Sequence, residues 1–365
     1  MSQQKRTIIT LAVLALTLLG SISASAAEFR GMWVTRFEWP NSNQTTAKAK
    51  IDTIMTNLKD HGFNAVLFQM RGQGDVLYPS PYEPWSALLG GLGQNPGWDP
   101  MQYAINSAHS RGLEFHVYIN THVVWSSSSQ TPPAHTTPEH PYWLYYNPSG
   151  NHDWTICDSA GTPVYYSSDN YCWCAPGVPS FQEWIRKVTM HVVNTYDVDG
   201  IHYDRIRVPA NTYSYDPISN ARRAGSGNPH SLDFKNWTRD QITRMLTDIY
   251  GSVMEVKPWV TMSCSPFGIY DRSRFAGYSG FTDGYDRWLQ ESQHWLEVGC
   301  MDAVVPMIYW DIPDPAPNFD ILVQDWIDYR YGRHVYAGAS AANYTFPELG
   351  NEITQTRTRG GQGFV

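Results

Sequence analysis

Two spacings of apolar residues alternate along residues 29–365. One is the near-continuous run, found at 29–36, 64–71, 113–120, 199–209, 259–267, 302–310 and 334–341, with Gly363-Phe364-Val365 opening another. Short apolar runs of this kind predict strands covered on both faces, as in a parallel sheet. The other spacing recurs every three or four residues, as in Ala47, Ile51, Ile54, Met55 and Leu58, and predicts helices. It gives helices at 46–61, 100–111, 180–196, 232–256, 284–298, 319–331 and 347–359. Gly62 and Gly112 stop the first two, and Pro100 opens the second. Strand and helix alternate throughout, in seven full units plus the start of an eighth strand. That tally predicts an α/β chain folded as a (β/α)8 TIM-type barrel. An open doubly wound sheet would carry a Gly-rich phosphate loop after its first strand, and none is present. The last strand has no helix after it, so the expectation is a barrel truncated in its eighth strand and poorly closed.

The ends and the longest loop refine this picture. Lys5 and Arg6 precede an apolar run over 8–19 and then Ala24-Ser25-Ala26, the layout of a cleaved signal peptide at residues 1–26. The run is short for a membrane span. Residues 27–365 are then one exported barrel domain, periplasmic or extracellular, with a long loop insert at about 125–179. A loop of that length inside a compact domain is usually functional. Three of the five cysteines, Cys157, Cys172 and Cys174, fall in it. Export permits disulfides, so Cys157 is expected to pair with Cys172 or Cys174. A net charge of −8 argues against nucleic acid or an anionic membrane as partner. The 15 Trp and 23 Tyr supply flat apolar surfaces on which sugar rings can lie, although most single Trp residues belong to cores.

In such a barrel the site is built where strands end. Those ends read Arg36 and Glu38, Gln69 and Arg71, Asn120 and His122, then Asp204, Arg205 and Arg207. Ser265 follows, then Tyr309, Trp310 and Asp311, then Ser340 and Asn343. The densest stretch is 199–209, Asp-Gly-Ile-His-Tyr-Asp-Arg-Ile-Arg-Val-Pro. Its charges make either a buried ion pair of Asp204 with Arg205 or Arg207, or a site. Amides, guanidinium groups and aromatic rings around carboxylates suit a polyhydroxylated substrate. Hydrolysis of a glycosidic bond normally takes two carboxyl groups. Asp204 is the first; Glu83, Asp75, Asp271 and Asp311 compete for the second. His202, two residues before Asp204, points to the same side and orients it or packs in the core. His116 is expected in the core. His122, His202 and Asp204 lack the close ligand spacing of a metal site, so no metal or cofactor is expected.

Several blocks resemble the glycosyl-hydrolase-like family 10, also called family of unknown function 187. They are Arg30-Gly-Met-Trp-Val-Thr, Asn64-Ala-Val-Leu-Phe-Gln-Met-Arg, Gly74-Asp-Val-Leu-Tyr-Pro-Ser and Glu83-Pro-Trp-Ser. The stretch from Ala108 to Asn120, Tyr196-Asp-Val-Asp-Gly-Ile-His-Tyr-Asp, Ser265-Pro-Phe-Gly and Pro306-Met-Ile-Tyr-Trp follow in family order. The resemblance implies a barrel exported by a bacterium and acting on glycans. Some relatives are envelope glycosidases that cut peptidoglycan strands stripped of their peptides. Asp75 and Glu83 sit in matching blocks, which favours them over Asp311 as the second carboxylate. Arg205 stands where many relatives carry a second acid, and with Arg207 could read a substrate carboxylate such as the lactyl group of muramic acid. The expected binding set is Arg36, Gln69, Arg71, Asn120, His122, His202, Arg205, Arg207, Tyr309 and Trp310. The expected function is an exported glycoside hydrolase of a cell-envelope or related polysaccharide, with a non-catalytic glycan-binding barrel as the alternative.

Overall fold

The computed structural model describes residues 28–314, 317–341 and 344–365. The expected signal peptide at 1–26 and the rim residue Asn343 lie outside the described residues. The strands are β1 (Phe29–Val34), β2 (Ala65–Arg71), β3 (Glu114–Asn120), β4 (Val123–Ser126) and β5 (Tyr171–Trp173). They continue with β6 (Gly200–Asp204), β7 (Thr261–Cys264), β8 (Ala303–Val304), β9 (His334–Ala337) and β10 (Gly363–Phe364). All but β4 and β5 form one closed parallel barrel, in the order β1-β10-β9-β8-β7-β6-β3-β2.

Closure is complete, against the expectation of a poorly closed eighth strand. Gly363 pairs with Phe29 on one side and Tyr336 on the other. Glycine is required there, because a Cβ would stand 2.1 Å from the Phe29 carbonyl oxygen. Beyond it Val365 packs with Phe29, Ala65, Leu67, Ala303, Val305 and Tyr336. That small apolar cluster fills the lumen. Barrel-strand residues such as Val66, Phe68, Phe115, Val117, Ile201 and Tyr203 face outward into the larger core beneath the helices.

The helices are α1 (Gln44–Asp60), α2 (Pro100–His109), α3 (Pro141–Tyr145), α4 (Pro179–Thr195) and α5 (Pro217–Ala224). Next come α6 (Phe234–Val256), α7 (Ser292–Glu297), α8 (Phe319–Asp328) and α9 (Phe346–Thr358). α1 shows how they are set: Asn43 caps the backbone N–H of Thr46, and Ala47, Ile51, Met55 and Leu58 are buried. Among the described residues no helix is long and apolar enough to cross a membrane.

Four further expectations need correction. The helix read over 284–298 shrinks to α7, because the Asp283 carboxylate takes the N–H groups of Asp286 and Arg287 into a turn and Leu289 has φ 50°. The strand read over 302–310 ends at Val304, since Pro306 has no N–H to give; Met307 makes only isolated bridges to Phe267 and Gly338. The insert at 125–179 is not structureless. It contains α3 and β5, and β5 pairs antiparallel with β4, Trp125 standing opposite Cys172. All five cysteines are free, buried thiols, so the expected staple is not formed. Cys157 faces the charges of Asp216 and Asp158, whereas Cys172 neighbours Cys174.

Candidate active site

β6 carries Gly-Ile-His-Tyr-Asp, and the alternation along it sends Ile201 and Tyr203 under the helices and His202 and Asp204 into the lumen. The strand stops at Asp204 because Arg205 takes a left-handed backbone, φ 51°. That turn points the Arg205 N–H back at Asp204 Oδ1, 2.6 Å away. The Tyr118 hydroxyl donates to Asp204 Oδ2 at 2.7 Å, and Arg207 Nη1 stands 3.7 Å from Oδ1. Burial pushes the Asp204 carboxyl up. The Arg207 charge, the Tyr118 hydrogen bond and the charge and N–H of Arg205 outweigh it and hold the group below the usual carboxylate range. Asp204 is therefore an ionised carboxylate at neutral pH, with its side chain 16% exposed.

It opens into a hollow of about 150 Å³ lined by Trp33, Thr35, Tyr118, Asp204, Ser265, Met307 and Tyr309. Asp204 is the one carboxylate among these lining residues. Below the hollow, Trp33 Nε1 donates to His202 Nε2 at 3.0 Å, and His202 Nδ1 meets Ser263 Oγ at 3.0 Å. An indole N–H can only donate, so Nε2 is the acceptor and the proton sits on Nδ1. Burial lowers the His202 pKa to about 3, keeping the ring neutral. His202 is thus a fixed floor for Trp33 and Tyr118 and not a proton carrier.

Next to Asp204, outside the hollow's lining, lies a basic and aromatic layer. The Arg205 guanidinium lies 3.9 Å over the Tyr171 ring and pairs with Asp169 at 3.2 Å. Arg207 lies between Trp173 and Trp288, at 5.9 and 5.8 Å, and its Nη1 has no hydrogen bond. Arg36 donates to the Tyr171 hydroxyl at 3.3 Å and lies across Gly72, where a Cβ would come within 2.3 Å of its side chain. The insert is therefore brought to the barrel mouth by the β4–β5 pairing.

The other expected site residues form a buried layer beside the hollow. Arg71 makes a two-pronged pair with Glu83, at 2.8 and 2.7 Å, and Trp184 Nε1 donates to the same carboxylate at 2.9 Å. Gln69 accepts from the Arg36 backbone N–H, and Asn120 donates to the Gly72 carbonyl. His122 is fully buried, and burial lowers its pKa to about 3. Of the expected catalytic and binding residues only Asp204 and Tyr309 line the hollow; Asp75, Arg36, His202, Arg205, Arg207 and Trp310 do not, and neither do Glu83, Gln69, Arg71, Asn120 and His122. The polar groups of these latter residues are instead enclosed by the chain, because the loop after β2 folds back over the strand ends. Trp310 stands edge-on to Phe267, and Asp271 accepts from the Ser273 N–H in a local turn. His116 is buried against Phe29 and hydrogen-bonds Glu114. Among the described residues no group of three His, Cys, Asp or Glu is placed to hold a metal ion.

Sequence reasoning missed Trp33, Tyr118 and the insert's Tyr171 and Trp173. The signal for Tyr118 was present: it shares parity with Asn120 on β3 and lies in register with His202. No comparable signal marks the insert residues, since their placement depends on pairing across about 45 residues of loop.

Asp75 is 3% exposed, and burial pushes its carboxyl up to about 6 against the opposing Arg36 charge and hydrogen bonds from Ser86 and Gln73. The folded form holds this proton more tightly than the unfolded chain, where aspartate titrates near about 4. The resulting stability is fully present below that value and is lost as pH rises through 6, a swing of about 3 kcal/mol. Asp75→Asn is expected to raise stability relative to wild type at pH 7.5 and not at pH 4. Urea melts at both pH values check this, and a difference independent of pH would overturn it.

The chain is thus a closed (β/α)8 barrel with a polar, aromatic-rimmed mouth around one ionised aspartate. The chain belongs to the glycosyl hydrolase-like 10 family, whose model matches residues 28–353. It is 28% identical over 336 residues to glycosyl hydrolase YngK of Bacillus subtilis strain 168, an alignment covering 87% of this chain and 61% of that protein. It is 29% identical over 333 residues to glycosyl hydrolase DigH of Escherichia coli K12, covering 83% and 70%. The chain thus spans about three-fifths of the first relative's length and about seven-tenths of the second's. In fold it is similar to the PgaB (BpsB) glycoside hydrolase domain of Bordetella bronchiseptica, with TM-score 0.65, 13% identity and 93% of both chains covered. The catalytic domain of β-amylase from Paenibacillus polymyxa gives TM-score 0.60 at 13% identity, over 93% and 92% of the chains.

Proposed function

We propose that this protein is an exported glycoside hydrolase acting on a bacterial cell-envelope or related polysaccharide, with Asp204 as a principal catalytic carboxylate. The observation that carries the reading is an ionised carboxylate held by Tyr118 and Arg207 at the edge of a hollow on the scale of one sugar unit. A carboxylate kept ionised serves as base or nucleophile and is a poor proton donor. The donor must hold its proton close to neutral pH. Asp75, near the Arg36 charge but outside the hollow's lining, holds its proton to about pH 6, whereas Glu83, also outside the lining, has both oxygens occupied by Arg71 and Trp184. Asp75→Asn should then lower turnover of a natural glycan by about 10²-fold or more, and spare an aryl glycoside whose leaving group needs no proton. Equal losses on both substrates would remove Asp75 from this role.

The class is tested by incubating the protein with peptidoglycan strands stripped of peptides, chitin-type oligomers and plant glucans, and assaying new reducing ends. Release from the first, and weaker release from the others, supports the reading. Binding without release supports the second reading, a non-catalytic glycan-binding barrel, which is favoured by the single carboxylate lining the hollow.

Arg207 has an Nη1 without a hydrogen bond next to the site, so the reading includes recognition of an acidic glycan substituent such as a lactyl carboxylate. Arg207→Gln should weaken binding of acidic strands by about tenfold and leave neutral oligomers unchanged. Calorimetric titration of both glycans checks it, and an equal change for both would overturn it.

A further inference from the structure

At the end of the barrel opposite Asp204, where β7, β8 and β9 begin, lies a groove of about 360 Å³. Trp259 stands in its wall with 67% of its surface exposed, the second most exposed large apolar side chain among the described residues. The floor is Tyr336, backed by Phe29 at 4.2 Å in a stacked arrangement and flanked by the His334 ring. Beside it, Asp302 accepts from the Tyr250 hydroxyl at 2.8 Å, from Arg333 Nη1 at 2.9 Å and from the Met262 N–H at 2.9 Å. Arg333 also donates to the Gly299 carbonyl, and its side chain remains 33% exposed. A guanidinium has five N–H donors, and these contacts use two.

This combination points to a particular ligand chemistry. A flat exposed indole offers an apolar face, and the adjoining ion pair offers a planar array of donors and acceptors already held in place. An apolar helix or lipid would leave Asp302 and Arg333 desolvated without compensation, which is costly. A strongly anionic polymer would meet the overall charge of −8. A neutral pyranose segment satisfies both features, its C–H face on the indole and its hydroxyls on the ion pair. We propose that this groove is a second glycan-binding site that holds a neutral stretch of the same polysaccharide whose cleavage is assigned to the barrel mouth. The proposal rests on the glycan reading of the protein. A second contact on one polymer makes the first effectively intramolecular and raises retention on long strands without altering the chemistry at Asp204.

The test separates retention from turnover. Asp204→Asn protein is sedimented with insoluble strands of chitin, a neutral pyranose polymer, alone and combined with Trp259→Ala or Trp259→Phe. Trp259→Ala is expected to lower retention by about tenfold and Trp259→Phe to keep most of it. Oxidative footprinting of Asp204→Asn protein should show Trp259 protected by the strands. On otherwise wild-type protein, Trp259→Ala should leave turnover of short soluble oligomers unchanged, and its thermal midpoint should match the parent. Unchanged retention and an unprotected Trp259 would overturn the groove assignment, even where wild-type turnover upholds the hydrolase reading. Trp259-dependent retention with no turnover by the wild type would uphold the groove and sink the hydrolase.

Discussion

Asp204→Asn is expected to lower glycan turnover by about 10³-fold or more while the barrel stays folded. The amide is isosteric, and its oxygen can still accept from Tyr118 or from the Arg205 N–H, so local geometry changes little. What disappears is the negative charge, and with it any capacity to take a proton or attack an anomeric carbon. Arg207 loses the charge 3.7 Å away that offsets its own burial, so a modest stability cost of about 1–3 kcal/mol accompanies the loss of activity. Tyr118→Phe provides the graded companion. The Tyr118 hydrogen bond favours the ionised form, so removing it raises the Asp204 pKa and moves the acid limb of the pH–rate profile to higher pH. Reducing-end assays with thermal melts on the same samples check both. Activity of Asp204→Asn within threefold of wild type would end the assignment of chemistry to this residue.

Why the mouth was legible in the sequence and its surroundings were not follows from how each is built. Strands such as Ala65–Arg71 and Gly200–Asp204 announce themselves by continuous apolar runs, because both faces are covered, and a barrel's site must lie where they end. Asp204 could therefore be placed from pattern alone. Arg71, Asn120 and His122 also end or follow strands, yet they are enclosed, because the β2 loop folds back so that Val76 bridges to Arg71 and to Trp85. No local pattern encodes that return. The same holds for Tyr171 and Trp173, carried to Arg205 and Arg207 by a hairpin whose strands are far apart in the chain. Closure through Gly363–Phe364 was missed for a different reason. A lumen this small needs only two paired residues and an adjacent valine to be sealed, fewer than periodicity can register.

Breaking the Arg71–Glu83 pair from either side is expected to cost about 3–5 kcal/mol, because the remaining charge is left buried without its partner. Both side chains are at most 1% exposed, so water cannot take the place of the missing group. Arg71→Met leaves the Glu83 carboxylate with only the Trp184 N–H; Glu83→Gln leaves a guanidinium facing a neutral amide. Arg71→Met combined with Glu83→Gln should recover a large part of the loss, since no net charge then stays buried, and the shortfall from additivity measures the coupling. Arg71 Nη1 also holds the Asn120 carbonyl at the end of β3, the strand whose Tyr118 fixes Asp204. Loosening the pair should therefore slow turnover in step with the fall in stability. The two possible meanings of Glu83 diverge at this point. A structural Glu83 predicts that urea midpoints fall for Glu83→Gln and are partly restored in the double variant, with activity following. If Glu83→Gln melts within about 0.5 kcal/mol of wild type yet loses turnover as completely as Asp204→Asn, Glu83 takes part in the chemistry and the buried-pair account is wrong.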